Sequence, residues 1–282
     1  MRSHGIVESA AGLLPFGHMG WGYRNRDEFL CRAAEYLVDG LDHGQRVAFV
    51  GAGTVDGLRA ELAAFPRLRD HAGFDSIVVL AADEYYPFHA GTDIIDSEVA
   101  IARYLEATDT AIRDGHSGFR AAVDVTAVAR TPQQRDELTV LEYLVDQLMA
   151  VRPFSALCAY DVGELGPDAI EVLCLHPYLS PQAAGFQIFA DGDPRTDCVL
   201  SGELDQSAAQ VYSTTLRRIL PLMPPGAVQI DARGLQFIAH RQLLQLNDIA
   251  CEHGRRIVLT TSQHVPRRLI ELLQPSHITA AP

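Results

Sequence analysis

The chain has 282 residues, 48% of them hydrophobic, and a formal net charge of −13. That length buries a substantial core and suffices for two domains. No run of about 18 apolar residues is present to span a bilayer, and the opening MRSHGIVESAAG lacks the long apolar core of a signal peptide, so a cytoplasmic protein is expected.

The charge is uneven. Residues 1–190 carry 14 Arg against 27 Asp plus Glu, while residues 191–282 carry 9 against 9. An acidic surface repels a phosphate backbone, so direct nucleic-acid binding is not expected. All 23 basic residues are Arg, which excludes chemistry that needs lysine, including Schiff bases and the phosphate-reaching Lys of a P-loop. The five cysteines, Cys31, Cys158, Cys174, Cys198 and Cys251, form no C-x-x-C pair. Their scatter fits reduced thiols better than a disulfide framework or a zinc site.

In chain order, a short strand from about Phe16 to Gly22 precedes a polar turn and a helix with Phe29, Leu30, Ala33, Ala34, Leu37 and Leu41 on its apolar face. Val47 to Val50 is a second strand, so a parallel βαβ unit is expected. Thr54 reads as the N-cap of a helix through Leu62, and Ser76 to Ala81 as a strand covered on both faces. After the loop ADEYYPFHAGTD come a helix from Ser97 to Asp114 and a strand from Phe119 to Val125. A helix opened by Thr131-Pro132 and a strand from Ser155 to Tyr160 follow. Ala169 to Leu175 reads as an antiparallel edge strand.

Residues 1–182 thus form a doubly wound α/β domain. Pro177, Ser180, Pro181 and Gly185 mark its boundary with a smaller α/β domain, 183–282. There, strands at Phe186 to Ala190 and Arg195 to Gly202 precede a helix from Ser207 to Leu220. The stretch from Val228 to Leu246 reads as strand, sharp turn and helix, and is followed by a strand at Arg256 to Thr261 and a helix from Val265 to Leu273.

In open parallel sheets, ligands bind outside the carboxyl ends of the strands. The loops selected by that rule supply His18, Tyr23, Arg24, Asp83, Tyr85, Tyr86, Asp124, Tyr160, Asp161 and His176 as candidate ligand-binding residues. Aromatic area with a few orienting polar groups suits a small, largely apolar ligand. The bland alternatives are aromatic caps on the core and structurally bonded histidines. The run GAGTVDG, Gly51 to Gly57, misses the G-x-G-x-x-G spacing. No H-x-x-x-H or carboxylate ladder places two metal ligands on one element, so neither metal nor cofactor is expected. No G-x-S-x-G elbow is present, and Cys31 is expected to be buried in its helix. An enzyme acting through Asp83, Asp124 and Asp161 is the runner-up reading, and an interaction scaffold the third.

Two stretches resemble known families. SGELD (Ser201 to Asp205), the strand ending at Asp231, DARGLQFIAHRQL and RIVLTTS are similar to the STAS domains of anti-sigma-factor antagonists over residues 185–275. That resemblance implies a four-helix-and-sheet fold that docks an anti-sigma factor or related signalling protein through Asp205, Gln236, Ala239, His240 and Arg241. It also implies an Asp-Ser pair with a phosphorylatable serine, where this chain has Ala239 and His240. The first domain, through GHMGWGYRNRDEF, YLVDGLDHGQRVAFV, ADEYYPF, CAYD and LCLHP, resembles the MEDS sensory module of a dichloromethane-responsive regulator. The resemblance runs from about Phe16 to Tyr178 and implies a RecA-like fold that senses small organic compounds. Tyr23 to Arg26 stand where a P-loop would carry Gly and Lys, so nucleotide hydrolysis is not expected. Together these features predict a non-enzymatic sensor fused to a partner-binding domain, with homodimerisation left open.

Overall fold

The computed structural model describes residues 3–12 and 17–281. The start of the first predicted strand, about Phe16, falls outside them. The first sheet contains β1 (Gly5–Ile6), β2 (His18–Tyr23), β3 (Arg46–Gly51), β4 (Val78–Ala81), β5 (Phe119–Asp124), β6 (Phe154–Asp161) and β7 (Tyr178–Leu179). Its order is β1-β7-β2-β6-β5-β3-β4, and every pairing is parallel. The predicted βαβ unit is parallel, but β6 and β5 lie between its two strands.

Helices cover both faces. On one side lie α1 (Arg26–Asp42), α2 (Val55–Ala63) and α3 (Pro66–Arg69), packed on Met19, Trp21, Tyr23, Phe49 and Leu157. After the short α4 (Ala82–Tyr85), the other side is covered by α5 (Ser97–Arg113) and α6 (Pro132–Val151). Local chemistry sets the helix starts. Asn25, Thr54 and Asp96 each accept a bond from a first-turn N–H, and Thr131 and Gln134 form a reciprocal capping box ahead of Pro132.

The segment expected as an antiparallel edge strand is helical instead. Past α7 (Val162–Leu165), Gly166–Ala169 forms a 3₁₀ turn and Ile170–Leu173 forms α8. A strand would alternate Glu171 and Leu173 on one face. The helical turn separates them, burying Val172 and Leu173 fully while Glu171 reaches Arg218 at 2.8 Å. The two short strands β1 and β7, neither of them expected from the sequence, then complete the sheet edge.

The second sheet contains β8 (Phe186–Phe189), β9 (Cys198–Leu204), β10 (Ala227–Asp231), β11 (Leu235–Ile238), β12 (Arg256–Thr260) and β13 (Ile278–Ala281). Only the β8–β9 pairing is antiparallel. The stretch expected as a sharp turn before His240 is mostly β11. Leu235 N–H closes a turn onto Ala232 O, and a register irregularity between Leu235 and Phe237 lets both Leu235 and Ile238 face inward. Three α-helices accompany this sheet, α9 (Ala209–Ile219), α10 (His240–Glu252) and α11 (His264–Leu273), together with a 3₁₀ turn at Leu220–Leu222. Among the described residues that is one helix short of the four expected.

The two sheets share apolar material. Tyr143 of α6 belongs to the core formed by Phe186, Leu200, Tyr212 and Leu216, and its hydroxyl donates to Asp197 O at 2.9 Å. Gly202 shows how tightly β8 and β9 approach. Its φ is +87°, and a Cβ there would lie 2.4 Å from Gly185 O. Gly202→Ala is therefore expected to lose at least about 2 kcal/mol, read as a lower urea midpoint at unchanged slope.

Candidate functional site

The predicted site residues of the first domain fall in several separate places. At the carboxyl edge, Tyr23 donates to Asp124 Oδ2 at 3.1 Å, and Asp161 N–H donates to Thr126 Oγ1 at 2.9 Å. Asp161 Oδ1 accepts from Gly163 and Glu164 N–H, so it caps α7. Burial together with the Asp124 charge pushes the Tyr23 phenol well above its ordinary range. Arg24 is exposed, and Arg26 takes the place at this edge, bonded twice to Glu61 and 3.5 Å from Asp124. Asp83 is exposed and lines a separate groove of about 270 Å³ with Phe88, Asp93 and Arg130. Neither Asp124 nor Asp161 lines that groove.

His18, Tyr160 and His176 lie in the interior, between β2, β6 and α6. Glu142 and Asp146 stand one turn apart on α6. The His18 ring bridges them, with Nδ1 3.0 Å from Asp146 Oδ1 and Nε2 3.2 Å from Glu142 Oε2. Cys158 Sγ lies 3.6 Å from His18 Nε2 and 3.8 Å from Glu142 Oε2. Tyr160 donates to Glu142 Oε1 at 2.6 Å. The His176 ring centroid is 4.1 Å from that of His18. Its Nδ1 donates to Leu173 O at 3.1 Å, and its Nε2 lies 3.6 Å from Glu142 Oε2. Glycine makes the room: a Cβ on Gly20 would stand 2.9 Å from the His176 ring.

Every member is buried, with His18, Tyr160 and His176 at 0% exposure. Burial disfavours a charged His18, but its bonds to Asp146 and Glu142 outweigh that and hold its pKa above 6.5. Burial drives His176 the other way, to about 4, with the His18 charge adding to the effect. Burial alone raises the Glu142 carboxyl; the His176 and His18 rings and the Tyr160 hydroxyl outweigh it and hold the group below the usual carboxylate range. Desolvation, followed by the Glu142 charge, lifts the Cys158 thiol and the Tyr160 phenol far up.

Sequence reasoning misses Glu142, Asp146 and Cys158. A signal for the first two exists in E-Y-L-V-D, two carboxylates at helical i, i+4 spacing. It is hidden because Leu138, Leu141 and Val145 beside it mark a core-facing stripe. Cys31, expected to be buried, is exposed on α1, since its position falls outside the Phe29, Leu30, Ala33, Ala34 face.

Tyr85 and Tyr86 join an aromatic cluster with Tyr104, Tyr85 stacking on Tyr104 at 5.5 Å between centroids. Tyr85 and Tyr104 line two spaces. One is a groove of about 400 Å³, bounded also by Val78, Leu80 and Phe119. The other is an inner cavity of about 30 Å³ that reaches Glu142 and Cys158. In the second half, Asp205, Gln236, His240 and Arg241 are exposed and Ala239 is partly buried. Ala239 N–H bonds Leu204 O, next to Asp205, and Arg241 reaches Gln206, so Asp205, Ala239, His240 and Arg241 lie close together. Phe237 is 46% exposed there, and α10 begins without a side-chain cap.

The sequence profile described as the MEthanogen/methylotroph, DcmR Sensory domain (MEDS) matches residues 17–177, which contain every residue of the buried cluster. No curated protein matches the chain. The match carries a signalling or sensing role, and no helix among the described residues is long and apolar enough to cross a membrane.

The opposed shifts of the two histidines give stability opposite pH dependences on either side of pH 6.5. His176 is neutral when folded, so acid favours the unfolded chain, and stability falls between pH 6.5 and about 4 by up to about 3 kcal/mol. His18 contributes stability that is fully present below pH 6.5 and is lost as pH rises through its elevated folded pKa. Urea titrations in chelator should show a maximum near pH 6.5, and His176→Gln should flatten the acid limb.

Proposed function

The chain belongs to the MEDS family, and we propose that it is a cytoplasmic signalling protein of two domains, 1–182 and 183–282, that acts by binding rather than catalysis. In this reading the first domain, of RecA-like type without a P-loop, senses a small organic compound. The second, STAS-like, docks an anti-sigma factor or similar protein through the surface of Asp205, Gln236, Ala239, His240 and Arg241.

The observation that carries the reading is the double role of Asp146. One carboxylate oxygen holds His18 at 3.0 Å, while the other accepts Ala190 N–H at 2.6 Å at the end of β8. A change in the buried cluster therefore acts directly on the second sheet. Gln187 adds a parallel link, donating to His176 O and Pro177 O at 2.9 and 2.7 Å. The groove lined by Tyr85 and Tyr104 supplies the apolar entrance, and the inner cavity leads from those rings to Glu142 and Cys158. The shift in the output surface is bounded by the difference in ligand affinity between the two states. His240 in place of the serine of STAS antagonists removes the hydroxyl switch, which leaves control to the sensing domain.

Calorimetry with small alcohols, halocarbons and aldehydes tests the sensing half. At least one class should give saturable heat in the wild type, abolished in Ala107→Trp, which fills the groove while unfolding stays cooperative. Silence from every class would overturn it. For the output half, His240→Glu should weaken anti-sigma-factor binding at least tenfold with the organic response unchanged. Partner binding indifferent to that substitution would remove this surface from the mechanism.

A further inference from the structure

We infer that His18, Glu142, Cys158 and His176 form a four-ligand site for a zinc-type divalent cation, buried between β2, β6 and α6. The inference goes beyond the sensing of an organic compound and does not depend on it.

One donor atom from each of His18, His176, Glu142 and Cys158 lies within 4.8 Å of the other three. A tetrahedral ion with bonds of about 2.0–2.1 Å to nitrogen and oxygen and 2.3 Å to sulfur has N···O edges of about 3.3 Å and edges to sulfur of about 3.6 Å. The corresponding separations here are 3.2 and 3.6 Å from Glu142 Oε2 to the two imidazoles, 3.6 Å from sulfur to His18 and 3.8 Å from sulfur to Glu142. Four of the six edges of the tetrahedron are thus close to their final lengths.

The surrounding bonds aim these atoms. A carboxylate and a carbonyl only accept, so His18 Nδ1–H is directed to Asp146 and His176 Nδ1–H to Leu173 O. Both Nε2 atoms then face inward as ligands. Tyr160 occupies Glu142 Oε1 and leaves Oε2 for the ion. Metal sites fix their imidazoles and carboxylates in this way. His176 Nε2 supplies an independent sign. It is fully buried and has no hydrogen-bond partner among the described residues, a costly state for a polar atom that aims at a centre of three other donors.

Charge favours the same occupant. A thiolate and a carboxylate contribute two negative charges and the neutral imidazoles none, so a divalent cation brings the four-ligand set to neutrality in a dry interior. On loading, the Cys158 thiol and His18 Nε2 each release a proton to solvent. Two imidazoles, one sulfur and one oxygen suit zinc or cobalt over magnesium or calcium, which take oxygen ligands.

Cobalt(II) is the probe. Full-length protein, reduced and stripped with chelator, is titrated with cobalt(II) and then zinc(II). One equivalent should bind, with a thiolate-to-cobalt charge-transfer band and the intense visible bands of a tetrahedral ion, both erased by zinc. Cys158→Ser should remove the charge-transfer band, whereas Cys31→Ser with Cys251→Ser, which removes the two exposed thiols, should keep it. Asp146→Asn should weaken binding by about 10–100-fold. Absence of a saturable thiolate band in the folded wild type overturns the inference without recourse to any variant, as does a band that survives Cys158→Ser. Failure of the organic titration leaves this spectrum intact, so the two readings fail separately.

Discussion

A single imidazole held between two carboxylates on one helix organises the centre of this protein. His18 opens β2, and Glu142 and Asp146 project from consecutive turns of α6 toward it. Charged groups enter a protein interior only when they are paired and hydrogen-bonded. Here the pairing ties the helix to the sheet at a defined height and rotation. Tyr160 and Cys158 from β6 and His176 from beyond α8 then find fixed positions around it. Gly20 is part of the same constraint, since any side chain there would displace the His176 ring.

The cluster sits where two structural layers meet. α6 contributes Glu142 and Asp146 to one side and Tyr143 to the core of the second sheet. Asp146 and Gln187 connect the cluster and its flanking carbonyls to the β8 region. Arg218 of α9 pairs with Glu171 and Asp136, adding a charged contact beside these bonds. A rearrangement at the first sheet therefore has a short path into the second, through bonds with fixed geometry rather than through a flexible linker.

Much of the scaffold is legible in the sequence because it depends on local rules. The caps at Thr54 and Thr131, the apolar face of α1 and the strands β5 and β6 emerge from residue type and period alone, whereas the strand read as covered on both faces, β4, lies at the sheet edge and buries alternate residues. The failures fall where non-local pairing decides. β1, β7, β11 and β13 are short, and their register is set by the strands beside them. The segment before His176 has apolar content that fits strand or helix; the demand that Glu171 reach Arg218 while Val172 and Leu173 stay inside selects the helix.

The same division holds for function. The sequence by itself determined the parallel α/β plan, the absence of lysine chemistry, and the presence of Ala239-His240 where the STAS antagonists it resembles carry Asp-Ser. Only the tertiary structure decided that His18, Tyr160 and His176 leave the open edge and meet Glu142, Asp146 and Cys158 in the interior. His18 and His176 alone stand 158 positions apart. Their conjunction depends on which face of each strand carries glycine and on how α6 is rotated, which packing settles and no linear motif records.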